Sequence, residues 1–382
     1  VFGGLLLTLL ISVFVLTISC VLGWIVAKIS RKLKHKSLIT VLISLVVIGV
    51  YYFVYFKAQS EIQDLLENAA VYGAQIKGAA YPVYLFGSVG VGDAVASVIV
   101  SAAVAVLFGL MWVLLSRSFL QIATSTGKVV RREYREMRSK QRGVDAALLC
   151  REFSRFAASP AYMLNCGLGT FLMPLCAIAM LWKGGELFAM LDAMFAQTAG
   201  SVPLLLCVVF CGLASMNFMT APSVSLEGKS LWLLQSLPVE PWRIFRAKIR
   251  MQLLLTGLPL LLCIVCTAVV YPMQWMQLLM LLLFAGSYVL FMALTGLFLG
   301  VRMPTLTWSN EIMPIKQGAP VIITLFGGFG YMVLLFIGFM LLPGWTLGFF
   351  GYMSCFVGVN LFLSVLICLW LRKKGVARFS AL

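Results

Sequence analysis

Runs of about twenty apolar residues recur along this chain, and each is long enough to cross a hydrocarbon layer of roughly 30 Å. Nine such runs are read, at roughly 2–27, 38–56, 94–115, 164–182, 202–221, 251–271, 276–299, 320–342 and 347–371. Of the 382 residues, 62% are hydrophobic and 11% charged. A water-soluble domain of this size lacks the interior volume to hide so much apolar surface. The expected fold is therefore an all-α polytopic membrane protein.

The charges between the runs give an orientation. If 28–37 is cytoplasmic and the sides alternate, the inner segments hold 26 of the 29 Lys and Arg. The outer ones hold only Lys57, Lys77 and Lys183. That asymmetry is the positive-inside pattern, and it places the C-terminus in the cytoplasm. The net charge of +16 is spread over five loops, which argues against a nucleic-acid face. His35, the one histidine, sits in a basic cluster.

Two outer segments look like surface helices. In 61–77, Ile62, Leu65, Leu66, Ala69 and Ile76 fall on one helical face, and 185–199 looks similar but shorter.

A basic linker, 117–147, divides the chain. Before it, 1–116 holds three spans. After it, 148–382 holds six, opening with an amphipathic elbow helix at about 145–158. Leu149, Phe153 and Phe156 share one face of that helix, and Arg151 and Arg155 another; Asp145 is expected to cap its start and Ser159-Pro160 to end it. Parity leads to the expectation that the nine spans are the C-terminal part of a twelve-helix arrangement with two six-helix halves; a nine-span protein with its N-terminus outside is the alternative.

The chemistry of an engine is missing from the sequence. Thr126-Gly127-Lys128 lacks the first glycine and the Ser/Thr of a phosphate-binding loop. No zinc-protease pattern occurs. Cys263 and Cys266 form a C-x-x-C within an apolar run without a second pair, which points to packing and not to metal or redox work. No catalytic residue, metal site or bound cofactor is expected. All Asp, Glu, Lys and Arg fall in loops or at span ends, so no intramembrane carboxylate for ion coupling is evident. The polar residues within spans are mild. Asn217 and Asn360 are candidates for lining a path, with helix–helix hydrogen bonding as the plainer role.

The inner loop 222–250 shows the most character. Over 225–237 Ser225 is a capping residue and Glu227 lies in the first turn. Leu226, Leu233, Leu234 and Leu237 repeat at helical spacing, Trp232 offers a large anchor, and Pro238 stops the helix.

Three segments carry a family resemblance: 151–165 at the elbow, 223–238 on the next inner loop, and 308–317 before the eighth span, with 374–379 as a matching ending. Together they resemble the permeases of type-2 ATP-binding-cassette (ABC) exporters, in particular a bacterial group of large exporter permeases. Thr307 and Gly318 depart from that pattern. The resemblance implies a transport subunit in a bacterial plasma membrane, working with two cytoplasmic nucleotide-binding ATPase subunits that carry the ATP and Mg. It implies an ATPase-coupling helix with Leu226, Glu227, Gly228, Lys229, Trp232, Leu233, Leu234, Leu237 and Pro238. It also implies an inner loop motif with Trp308, Asn310, Glu311, Lys316 and Gln317, and an elbow marked by Arg151, Phe153, Arg155, Phe156 and Pro160. An ion-coupled transporter and a non-transporting membrane scaffold are the alternatives.

Overall fold

The computed structural model describes residues 2–30, 36–67, 81–123, 143–195, 200–341 and 344–382. The chain forms two compact units, Val1–Arg138 and Ser139–Leu382. Among the described residues every regular element is helical, and a single backbone bridge joins Gly167 to Asn217. Eight helices among the described residues are long and apolar enough to cross a membrane, as in a multi-pass helical membrane protein.

The first unit contains α1 (Phe2–Ser30), α2 (Lys36–Glu67), α3 (Tyr81–Val91) and α4 (Ala94–Ala123). Ala96, Val100 and Val104, one turn apart on α4, pack with Leu10 of α1 and Val89 of α3. Asp93 starts α4 by accepting the backbone N–H of Val95 at 2.9 Å, and Trp24 Nε1 donates to Ser118 Oγ at 2.8 Å. On α2 the exposed rings of Tyr51, Tyr52, Phe53, Tyr55 and Phe56 gather toward one end of the span, as aromatic residues do at a membrane–water boundary. The described part of the expected surface helix 61–77 simply continues α2 to Glu67; the remainder, like His35 and most of the basic linker, lies outside the described residues.

The second unit contains α5 (Val144–Ala158), α6 (Pro160–Cys166), α7 (Leu168–Met194), α8 (Ser201–Ser215) and α9 (Leu231–Gln235). These are followed by α10 (Pro241–Val270), α11 (Trp275–Arg302), α12 (Ala319–Leu341), α13 (Gly344–Trp370) and α14 (Val376–Ser380). Its core runs through α7, α8, α10, α11, α12 and α13, with Phe210, Phe284, Tyr288 and Phe339 almost wholly enclosed.

Two expectations are corrected here. The run 202–221 is not a full span: α8 has 15 residues, and the chain turns irregularly from Met216 to Val224. At 1.5 Å per residue α8 reaches only about 22 Å. Protein surrounds it, so the unwound backbone beyond it finds partners without lipid contact. The described part of 185–199 is not a separate surface helix, because α7 runs unbroken to Met194 and carries Lys183, Glu186 and Asp192 along its C-terminal end.

The break after α8 faces a second break, between α6 and α7. Phe218 N–H donates to the Cys166 carbonyl at 3.0 Å, and Thr170 N–H donates to Asn217 Oδ1 at 3.0 Å. Gln252 on α10 holds the same turn from the other side. Its Oε1 accepts from Thr220 N and Thr220 Oγ1, both at 2.8 Å, and its Nε2 donates to the Asn217 carbonyl at 2.9 Å. Gly296 and Gly300 on α11 let the turn press close. A Cβ on Gly300 would stand 2.6 Å from the Ala221 carbonyl oxygen.

Candidate functional site

Immediately after this turn, Ser225–Ser230 forms a tight 3-10 turn, and its Glu227 side chain is fully enclosed. Glu227 Oε1 lies 2.9 Å from Lys248 Nζ on α10, and Oε2 lies 2.9 Å from Arg151 Nη2 on α5. Arg155, one turn further along α5, also pairs with it. Lys248 Nζ reaches Glu152 at 3.0 and 3.1 Å and donates to the Ser223 carbonyl at 3.3 Å. Three cations and two carboxylates thus lock α5, the 222–230 turn and α10 into one block.

The electrostatics follow from this packing. Burial alone would raise the Glu227 carboxyl, but Lys248, Arg155 and Arg151 outweigh it and bring it down to about 2. The carboxylate is therefore charged at any physiological pH. Burying such a group without its partners costs several kcal/mol. The network consequently fixes the position of the turn, because every alternative placement strands a charge.

The third inner segment joins the same block. Trp308 Nε1 donates to the Ser225 carbonyl at 2.7 Å, and Thr305 N–H donates to Ser225 Oγ at 3.0 Å. The Trp308 ring covers Gly228, whose φ of 49° and ψ of −132° suit only glycine. The C-terminus closes another side. Phe379 is fully buried against Phe245, with ring centroids 5.3 Å apart, and its carbonyl accepts from Gln235 Nε2 at 2.7 Å.

The continuous amphipathic helix expected over 225–237 is absent. The chain makes the 3-10 turn, kinks at Gly228, forms the five residues of α9 and turns again at Ser236. The leucines consequently divide. Leu226 and Leu234 are buried, whereas Leu233 is 51% and Leu237 40% exposed. Trp232 is 64% exposed beside them, and Lys229 and Pro238 are exposed as well. Glu227 interacts with buried Lys248 and with the partly exposed Arg151 and Arg155, and does not serve as a surface charge at a helix start.

The elbow is corrected in the same way. The inward face of α5 is Leu148, Glu152 and Phe156, while Phe153 is only partly buried. Arg151 and Arg155 turn toward Glu227 and away from a purely aqueous face. Asp145 caps nothing; it lies 3.8 Å from Arg243 and 3.9 Å from Arg246. Ser159 does end α5, and its Oγ accepts the Tyr162 N–H at the start of α6, which opens with Pro160.

Other expected positions lie apart from the block's interior. Asn310, Glu311, Lys316 and Gln317 are exposed on their loop. Asn360, fully buried, accepts from Tyr331 Oη at 2.9 Å and faces Ser287 across helices. Asn217 secures the break described above, and its side-chain amide nitrogen has no partner among the described residues. Cys263 and Cys266 sit in the apolar core.

Sequence reasoning passed over Glu152, Lys248 and Gln252. A signal exists for the last two. Ile244, Lys248, Gln252 and Thr256 recur every four residues on α10, a stripe on one face that turns polar partway along and points inward. For Glu152 the signal is a carboxylate midway between Leu148 and Phe156 at the same spacing. The block thus carries the exposed side chains of Trp232, Leu233 and Leu237 on a turn tied to α5 and α10.

Neither family models, curated proteins nor solved structures yield a match to this chain.

Proposed function

We propose that the chain is the transmembrane permease subunit of an ATP-binding-cassette exporter, moving its substrate with ATP hydrolysed by separate nucleotide-binding subunits. The observation that carries this reading is the exposed cluster of Trp232, Leu233 and Leu237 on a loop anchored by buried charges to α5 and α10. Large apolar side chains on a rigid loop outside the spans are the type of anchor that fills a partner's pocket. A push on Trp232 would pass through Glu227 and Lys248 directly into α10, a thirty-residue helix, as a rigid-body movement. The resemblance of the segments at 151–165, 223–238 and 308–317 supports the same reading, and all three segments contribute to this block.

A buried Glu–Lys pair is also the feature an ion-coupled transporter would use. The three cations around Glu227 argue against proton coupling there, since a coupling carboxylate needs an affinity near the working pH and this one is held at about 2.

The test is isolation of the tagged full chain from its native membrane. The preparation should contain a nucleotide-binding ATPase and hydrolyse ATP. The Trp232→Ala/Leu233→Ala double variant should insert normally yet retain at least tenfold less of that subunit, since each buried anchor contributes about 2 kcal/mol or more. A wild-type chain recovered without any ATPase, or unchanged retention by the double variant, would overturn the proposal.

A further inference from the structure

Beside the block, α10, α11 and α13 enclose a groove of about 340 Å³. Its walls are Ile249, Leu290, Leu294, Leu361, Val365 and Cys368, with Trp242, Arg246 and Arg250 toward the start of α10. Leu361 and Val365 are exposed on the helix surface, so the groove opens toward the region that hydrocarbon occupies. We infer that this groove binds an anionic phospholipid, with an acyl chain between the helices and the phosphate on Arg246 and Arg250.

Four observations lead there. The walls are apolar and their volume falls in the range of small-molecule sites, which suits part of an acyl chain. The head end is positively charged: Arg250 is exposed, and among the described residues the one carboxylate paired with Arg246 is Asp145, at 3.9 Å, longer than a hydrogen bond. Two polar atoms at the groove lack partners among the described residues, namely Arg246 Nε and Ser364 Oγ, and Ser364 is 3% exposed. Both atoms are covered in this conformation, so a lipid phosphate meets Arg246 through the terminal nitrogens of its partly exposed guanidinium, beside exposed Arg250. Trp242 adds an amphipathic ring at the level of the arginines, where headgroups lie. A choline headgroup would bring its own cation against the arginines, which selects for net negative lipids such as phosphatidylglycerol. This inference stands on the membrane fold and the groove, independently of any ATPase partner.

The experiment uses the purified full chain in detergent and phosphatidylglycerol with brominated acyl chains, which quenches nearby tryptophan. A component of quenching absent from Trp242→Phe should reach half its extent at about tenfold lower mole fraction for phosphatidylglycerol than for brominated phosphatidylcholine. Arg250→Gln should raise the phosphatidylglycerol requirement several-fold. Ser364→Phe, which fills the groove from α13 and leaves the charges in place, should remove the Trp242 component. Inorganic phosphate at millimolar concentration should not displace the lipid. Equal quenching by the two lipids overturns the inference, as does a Trp242 component that survives Ser364→Phe. Displacement by phosphate alone would reassign the arginines to a free-anion site.

Discussion

The indole ring of Trp308 covers Gly228 so closely that a Cβ added to the glycine would stand 3.0 Å from the ring. The two residues are far apart in sequence, and the indole N–H donates to the Ser225 carbonyl in the same turn. Gly228→Ala therefore meets two penalties, a positive φ that alanine adopts poorly and a ring in tight contact that has to shift by a few tenths of an ångström. The variant should lose on the order of 1–3 kcal/mol, read as a lowered thermal midpoint in detergent. Trp308→Ala combined with Gly228→Ala should recover the steric part and leave the backbone strain.

Glu227→Gln removes the carboxylate that faces three cations. The expected loss is about 3–5 kcal/mol at neutral pH, the scale of breaking a buried ion pair by taking one partner away. The pH dependence has a definite sign. Glu227 binds its proton less readily in the fold than when unfolded, so its contribution is complete above the ordinary carboxylate range near 4.5 and is lost as pH falls toward about 2. The gap in thermal midpoint between wild type and Glu227→Gln should be constant above pH 5 and narrow below it. A gap that stays the same down to pH 3 would mean that the charge of Glu227 is not what holds the turn.

Gln252→Leu tests the unwound segment after α8. The glutamine occupies three partners, and the substitution leaves the Thr220 N–H and the Asn217 carbonyl buried without it. Unmet buried groups of this kind cost about 1–3 kcal/mol each. Proteolysis or hydrogen exchange should show faster opening of 216–224, with α12 and α13 little changed.

Orientation is checked by labelling. Ala193→Cys, exposed at the end of α7, should react with an impermeant maleimide added to intact cells, above the background of the parent chain. Ser309→Cys, exposed on the loop between α11 and α12, should react only after permeabilisation. The reverse pattern would place the basic loops outside.

Helix content and the membrane-crossing runs were legible in the residues because hydrophobicity over twenty positions is a local quantity. Ile39–Gln59 or Trp275–Arg302 needs no neighbour to declare itself apolar and helical. The run 202–221 misled for the same reason: its hydrophobicity continues through Phe218 and Met219, while Gln252, Cys166 and Thr170 draw the backbone out of the helix. The leucines of 225–237 misled because a kink at Gly228 is decided by Trp308, eighty residues on. Lys248 and Glu152 looked like ordinary charges near span ends, and burial made them a pair only when α5 was laid against α10. Sequence alone determined which segments leave water, since transfer to lipid depends on each segment's own surface. Tertiary structure decided which charges are buried and which apolar side chains stay exposed, because an ion pair needs both partners in place and a local pattern names only one of them.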